Sequence, residues 1–170
     1  GRQTGAGGKV IEECGNEWEN GVKLEILAPA GGRDSVEAAV RCGADAVYLG
    51  TKVLNARRNA ANFDGEDLRE TIRYCHERGV KVHLTVNTLM YDSEISQAVS
   101  VIEEACCAGV DAVIVQDMGV AALCRKICPE LPMHASTQMA VHNLEGALQA
   151  KELGFSRVVL AREMSRGEIR

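Results

Sequence analysis

The chain has 170 residues, 46% of them hydrophobic and 25% charged, which suits one domain with a real core and excludes a sequence too polar to collapse. Aromatics make up only 4%, so that core must be built from Val, Leu, Ile and Ala, which favours an α/β interior over a small all-β domain. The net charge of -5, with no basic stripe, argues against strong nucleic-acid binding by this segment alone, and no apolar run approaches the roughly 18 residues of a membrane span.

Residues 1–21 carry no sustained periodicity and are rich in Gly and acidic side chains. They are set aside as a leader, a linker or a cloning remnant, expected to be poorly ordered. The N-terminus lacks the apolar stretch of a secretory signal. The seven cysteines are therefore expected as reduced thiols in a cytoplasmic protein.

From residue 22 to 170 one pattern recurs. Short apolar runs at Leu24–Ala28, Ala46–Leu49, Val80–Val86, Ala112–Val115, Met133–Ala135 and Val158–Ala161 predict six strands. Between them the helical period predicts helices at about 34–42, 64–78, 93–108, 118–128 and 143–153. Strands that are apolar on both faces suit a parallel sheet covered by helices. Gly43, Gly79, Gly109 and Gly154 each end a helical stretch just before a strand, where a left-handed residue is expected. Asp34, Asp64, Asp92 or Ser93, Asn143 and Ser165 stand where a side chain can cap a helix start.

Six strands in strict alternation with helices point to a (β/α) TIM-type barrel, of which about six of eight strands are present. A doubly wound open sheet fits the strand count as well. Its Gly-rich phosphate loop is not found after the first strand, which reads APAGGRDS.

Barrels place their chemistry at the C-terminal ends of strands. Alternation turns His83, Thr85 and Asn87 to one strand face and Val82, Leu84 and Val86 to the other, so the polar set is expected to face the barrel interior, as are His134 and Ser136. Gln116 and Asp117 follow the fourth strand, Thr137 and Gln138 the fifth, and Arg162 and Glu163 the sixth; Glu25 lies on the first. Arg57 and Arg58, in the long loop after the second strand, can clamp a carboxylate or phosphate. The plainer readings are a polar core layer bonded to itself and a solvated pair of surface arginines.

Hydrolytic signatures are missing. His76-Glu77 has no second histidine of a zinc-protease motif, and no serine stands in a nucleophile elbow. Cys124 and Cys128 are four apart, but no third cysteine completes a cluster motif. Cys42, Cys75, Cys106 and Cys107 fall in helices, where packing is the usual role. No metal site is expected from this chain alone.

The segments LEILAPAGG (24–32), GADAVYLG (43–50), NARRNAANF (55–63), VHLTVNTL (82–89), VDAVIVQDMG (110–119), LPMHASTQMAVHN (131–143) and GFSRVVLAREMS (154–165) resemble the collagenase-like peptidase family, the unassigned-mechanism family U-thirty-two. The resemblance runs from about Lys23 to the end and implies the N-terminal barrel part of a catalytic domain. It implies two kinds of activity. One is peptidase or collagenase action. The other is oxygen-independent hydroxylation of ribosomal RNA, transfer RNA or a small aromatic quinone precursor, with an iron–sulfur cluster and, for the RNA modifiers, prephenate as hydroxyl source. HASTQM and QD look most like the ribosomal RNA subgroup. The cysteine signature that would hold the cluster has no counterpart in this chain, so no cofactor is expected to bind it alone.

On this reading Asn87, Asp117, His134, Gln138 and Glu163 are candidate catalytic residues. Glu25, Arg57, Arg58, His83, Ser136 and Arg162 are candidate substrate-binding residues. The expected partners are an RNA or small-molecule substrate of the longer parent, with neither DNA nor membrane. A non-catalytic alternative is a partial barrel completed by a partner or by self-association through its unclosed edge.

Overall fold

The computed structural model describes residues 24–51, 63 and 65–169. The leader reading of 1–21, the loop arginines Arg57 and Arg58 and the cap at Asp64 lie outside the described residues.

Among the described residues six strands and five α-helices alternate. They are β1 (Leu27–Pro29), α1 (Arg33–Arg41), β2 (Ala46–Gly50), α2 (Gly65–His76), β3 (Lys81–Val86), α3 (Ile95–Ala108), β4 (Ala112–Val115), α4 (Met118–Ile127), β5 (Met133–Ala135), α5 (Leu144–Glu152) and β6 (Phe155–Val158). All pairings are parallel, and the sheet order is the chain order, β1 to β6. Each strand thus pairs with the next through a single helical crossover, the arrangement a barrel requires.

The glycine signal holds. Gly43, Gly79, Gly109 and Gly154 all take positive φ, and Gly109 caps α3 at φ 82 with its amide on the Ala105 and Cys106 carbonyls. Asn143 caps α5 as expected, accepting from the Gly146 amide at 2.8 Å.

Other expectations change. The residue before α1 is Gly32, and Asp34 sits inside the first turn, where its charge complements the helix dipole instead of capping. Asp92 and Ser93 belong to a 3-10 turn (Asp92–Glu94), whose Glu94 carboxylate reaches back to the Tyr91 amide at 2.9 Å. Ser165 bonds Glu168 in a closing turn, not a helix among the described residues. The last strand begins at Phe155, three residues earlier than the most apolar stretch. Pairing with β5 starts as soon as Gly154 ends α5, and the apolar run simply continues it, with the Val159 amide on the Ala135 carbonyl.

The core lies between the sheet and its helices. Val47, Leu49, Val82, Leu84, Val86, Val113, Val115, Met133 and Ala135 meet Leu68, Ile72, Cys75, Ala98, Ile102, Val120 and Cys124. Each Val, Leu, Ile or Met among them contributes about 1.5–3 kcal/mol by leaving water. The expectation of free thiols fails at one place. Cys106 of α3 and Cys128 just after α4 are joined as a disulfide, with Cα atoms 6.7 Å apart, because these two helices pack side by side.

Candidate functional site

The opposite sheet face carries the polar residues. His83, Thr85 and His134 alternate with the core residues of their strands and are themselves buried, at 2%, 6% and 6% exposure. They form layers along the strand direction. Lowest, at the N-terminal ends, Lys81 Nζ donates to Glu25 Oε1 at 3.2 Å, and Arg157 Nη2 donates to Glu25 Oε2. Burial alone would raise the Glu25 carboxyl, but these hydrogen bonds and charges outweigh it and hold it below the usual range.

The middle layer is the pair of imidazoles. His83 and His134 meet edge to face, centroids 4.8 Å apart, although they belong to strands separated by β4. Neither Nδ1 has a hydrogen-bond partner. Burial first, and then the positive charge of Arg157, lowers the pKa of His83. Burial, its neighbour His83 and Arg157 push His134 down to about 4. Both rings are neutral near pH 7, and each offers one N–H donor and one acceptor.

Above them, at the C-terminal ends, Thr85 Oγ1 donates to the Leu49 carbonyl at 3.0 Å. Asn87 is half-buried where β3 ends. Asp117 follows β4 and does two jobs: Oδ1 accepts from the Val120 amide at 3.0 Å, capping α4, and Oδ2 accepts from the Met90 amide at 3.3 Å, tying down the loop after β3. Ser136 is buried after β5, its Oγ accepting from the Gln138 amide at 3.3 Å in a 3-10 turn (Thr137–Met139). Gln138, Arg162 and Glu163 are exposed on loops at this same end.

His83 and His134 are therefore in contact, and Asn87, Asp117, Ser136 and Gln138 share one rim. Glu25 is at the other end, engaged by two cations. The sequence reading missed Lys81 and Arg157. Lys81 stood in the same alternation as His83 and Thr85 and was legible there; Arg157 fell outside because the last strand was begun one residue too late to include it.

The cysteines do not fit a metal cluster. Cys106 and Cys128 are consumed in the disulfide. Cys75 and Cys124 are buried, with thiols pushed up to about 11 by burial and so held protonated, while Cys42, just after α1, and Cys107, in α3, are exposed and far apart along the chain. Among the described residues no three His, Cys, Asp or Glu side chains converge on a metal position. Nor is any helix among them long and apolar enough to cross a membrane.

A parallel sheet in chain order, with helices packed on one face and a polar stack on the other, defines a β/α-barrel protein. The chain belongs to Peptidase family U32, whose family model matches residues 31–170. It is 39% identical over 148 residues to the 23S rRNA 5-hydroxycytidine synthase of Escherichia coli, covering 87% of this chain and 22% of that protein. It is 42% identical over 148 residues to a collagenase of Porphyromonas gingivalis, covering 86% of this chain and 35% of the relative. It is 36% identical over 148 residues to a tRNA hydroxylation protein of Bacillus subtilis, covering 87% and 35%. The chain thus spans between about a fifth and about a third of the length of these relatives. Among solved structures, the U32 peptidase Mk0906 shares the fold at TM-score 0.64 and 16% identity, covering 82% of this chain and 59% of that one. A phosphonopyruvate hydrolase follows at TM-score 0.59 and 15% identity, covering 86% and 62%.

Proposed function

We propose that this chain is the substrate-orienting part of the barrel of an RNA hydroxylase, with ribosomal or transfer RNA as substrate. The observation that carries this reading is similarity over some 148 residues to proteins named for rRNA and for tRNA hydroxylation. The side chains support it. His134, with a pKa of about 4, is a poor general base at neutral pH, since efficient proton transfer wants a pKa near the working pH. As a neutral imidazole, beside His83, it is suited to hold a substrate by hydrogen bonds. Asn87, Gln138, Arg162 and Glu163 at the strand ends would contact substrate, Ser136 would order the turn after β5, and Arg57 or Arg58 would take a carboxylate. Glu25 serves the frame in this scheme.

The iron–sulfur cluster and the prephenate hydroxyl source implied by the family resemblance belong to this proposal too. The cysteines present do not fit a cluster, so it would be ligated by residues outside this chain. A cytoplasmic location goes with an RNA substrate.

The second reading, a peptidase, is favoured by the 42% identity to a collagenase. Against it, Ser136 acts as a turn cap and His134 Nδ1 has no partner, so the two do not form a nucleophile–base pair through that nitrogen.

The test is anaerobic iron and sulfide analysis with a visible spectrum on the full-length parent, followed by mass spectrometry of nucleosides from RNA treated with it and prephenate. A cluster and hydroxylated nucleosides are expected. Peptide release by a cluster-free parent that leaves RNA unchanged would replace this reading with the peptidase.

A further inference from the structure

The loop after β3 and the start of α4 build an exposed apolar rim at the same end as the polar strand termini. Tyr91 is 78% exposed, Leu89 69% and Met118 49%, in a chain with only three tyrosines. Their backbone is nevertheless held firmly. Asp117 accepts from the Met90 amide, between Leu89 and Tyr91 and next to Met118, and the Glu94 carboxylate holds the Tyr91 amide at 2.9 Å. Met90 turns into the core, while the residues on either side of it are exposed. A ring presented to water on a backbone fixed from two sides loses little conformational freedom on binding a flat partner.

We propose that Tyr91, flanked by Leu89 and Met118, is the platform on which an unpaired nucleobase of the RNA stacks. The inference rests on the RNA reading above and adds a base-binding contact to it. Enzymes that modify a base take it out of its stack, and single-stranded RNA is read largely by stacking on aromatic rings. The chain's net charge of -5 offers little attraction to phosphates. Contact with the face of a base, which carries no charge, is what this rim can supply.

The experiment uses the full-length parent and a short unpaired RNA oligonucleotide carrying 2-aminopurine, whose fluorescence is quenched by stacking. Tyr91→Ala is expected to weaken binding about five- to a hundredfold and abolish the quenching. Tyr91→Phe and Tyr91→Trp should retain both. The thermal midpoint of Tyr91→Ala should stay unchanged because the ring packs on little, and the slope of binding against salt should stay unchanged because no phosphate contact is lost. Tyr91→Ala binding within twofold of wild type would overturn the proposal. So would a Tyr91 shielded from nitration in the RNA-free parent, since the protein itself would then cover the ring. A wild-type parent that neither binds nor hydroxylates RNA would instead overturn the function on which the proposal rests.

Discussion

His134 ionises less readily in the fold, at about 4, than in an unfolded chain, where imidazole titrates near 6.5. Protons therefore favour the unfolded state between those values. The stability gained by burying a neutral ring is complete above about pH 6.5 and is lost as pH falls toward about 4, and His83 shifts in the same direction. The thermal midpoint of the wild-type protein should fall as pH drops from about 7 to about 5, and His134→Gln should flatten that slope. Parallel slopes would mean that His134 is not buried neutral. That these two histidines face inward was legible from simple alternation along β3 and β5. That they touch was not, because alternation assigns a face and says nothing of how strands two apart in a curled sheet bring their side chains together.

At the scale of elements, Asp117 shows how a carboxylate nominated for chemistry also holds the frame. It follows a strand at the working end of a barrel, so sequence reasoning nominates it for catalysis. The structure has it capping α4 and fixing the loop after β3. Asp117→Ala should cost about 1–2 kcal/mol in chemical denaturation, the size of a lost cap. Asp117→Asn keeps a capping oxygen and should cost less than half as much. Loss of turnover in a stably folded Asp117→Asn protein would show that the carboxylate charge has a chemical role besides. The helices and strands themselves were readable because helix-ending glycines and apolar runs recur in step. The start of β6 was not, since strand pairing follows the chain's emergence from α5 and hydrophobicity alone marks only the middle of the extended segment. The first 3-10 turn was missed because its Glu94 reaches backward to Tyr91, a contact that reads in sequence like any other acidic residue near a helix start.

Across the whole molecule, the repeat of strand and helix was enough to give a parallel barrel-type sheet, but no local pattern could match Glu25 with Arg157, 132 residues away. Glu25 lies just before β1 and Arg157 within β6, the two outermost described strands of the sheet, so their ion pair ties together margins that share no backbone hydrogen bonds among the described residues. Lys81 and Arg157 are 57% and 41% exposed, which limits what the cluster contributes. Glu25→Gln should lower stability by about 1 kcal/mol or less, and the loss should shrink as salt is raised. A salt-independent loss several times larger would show a carboxylate more deeply committed than its surroundings suggest. The same ion pair has a kinetic side. Every backbone pairing between the described strands joins chain neighbours, so strands can be added one unit at a time with short loops to close, whereas Glu25 and Arg157 must wait until both margins are in place. It is a latch fastened late, and loosening it should quicken unfolding while leaving the rate of folding almost untouched.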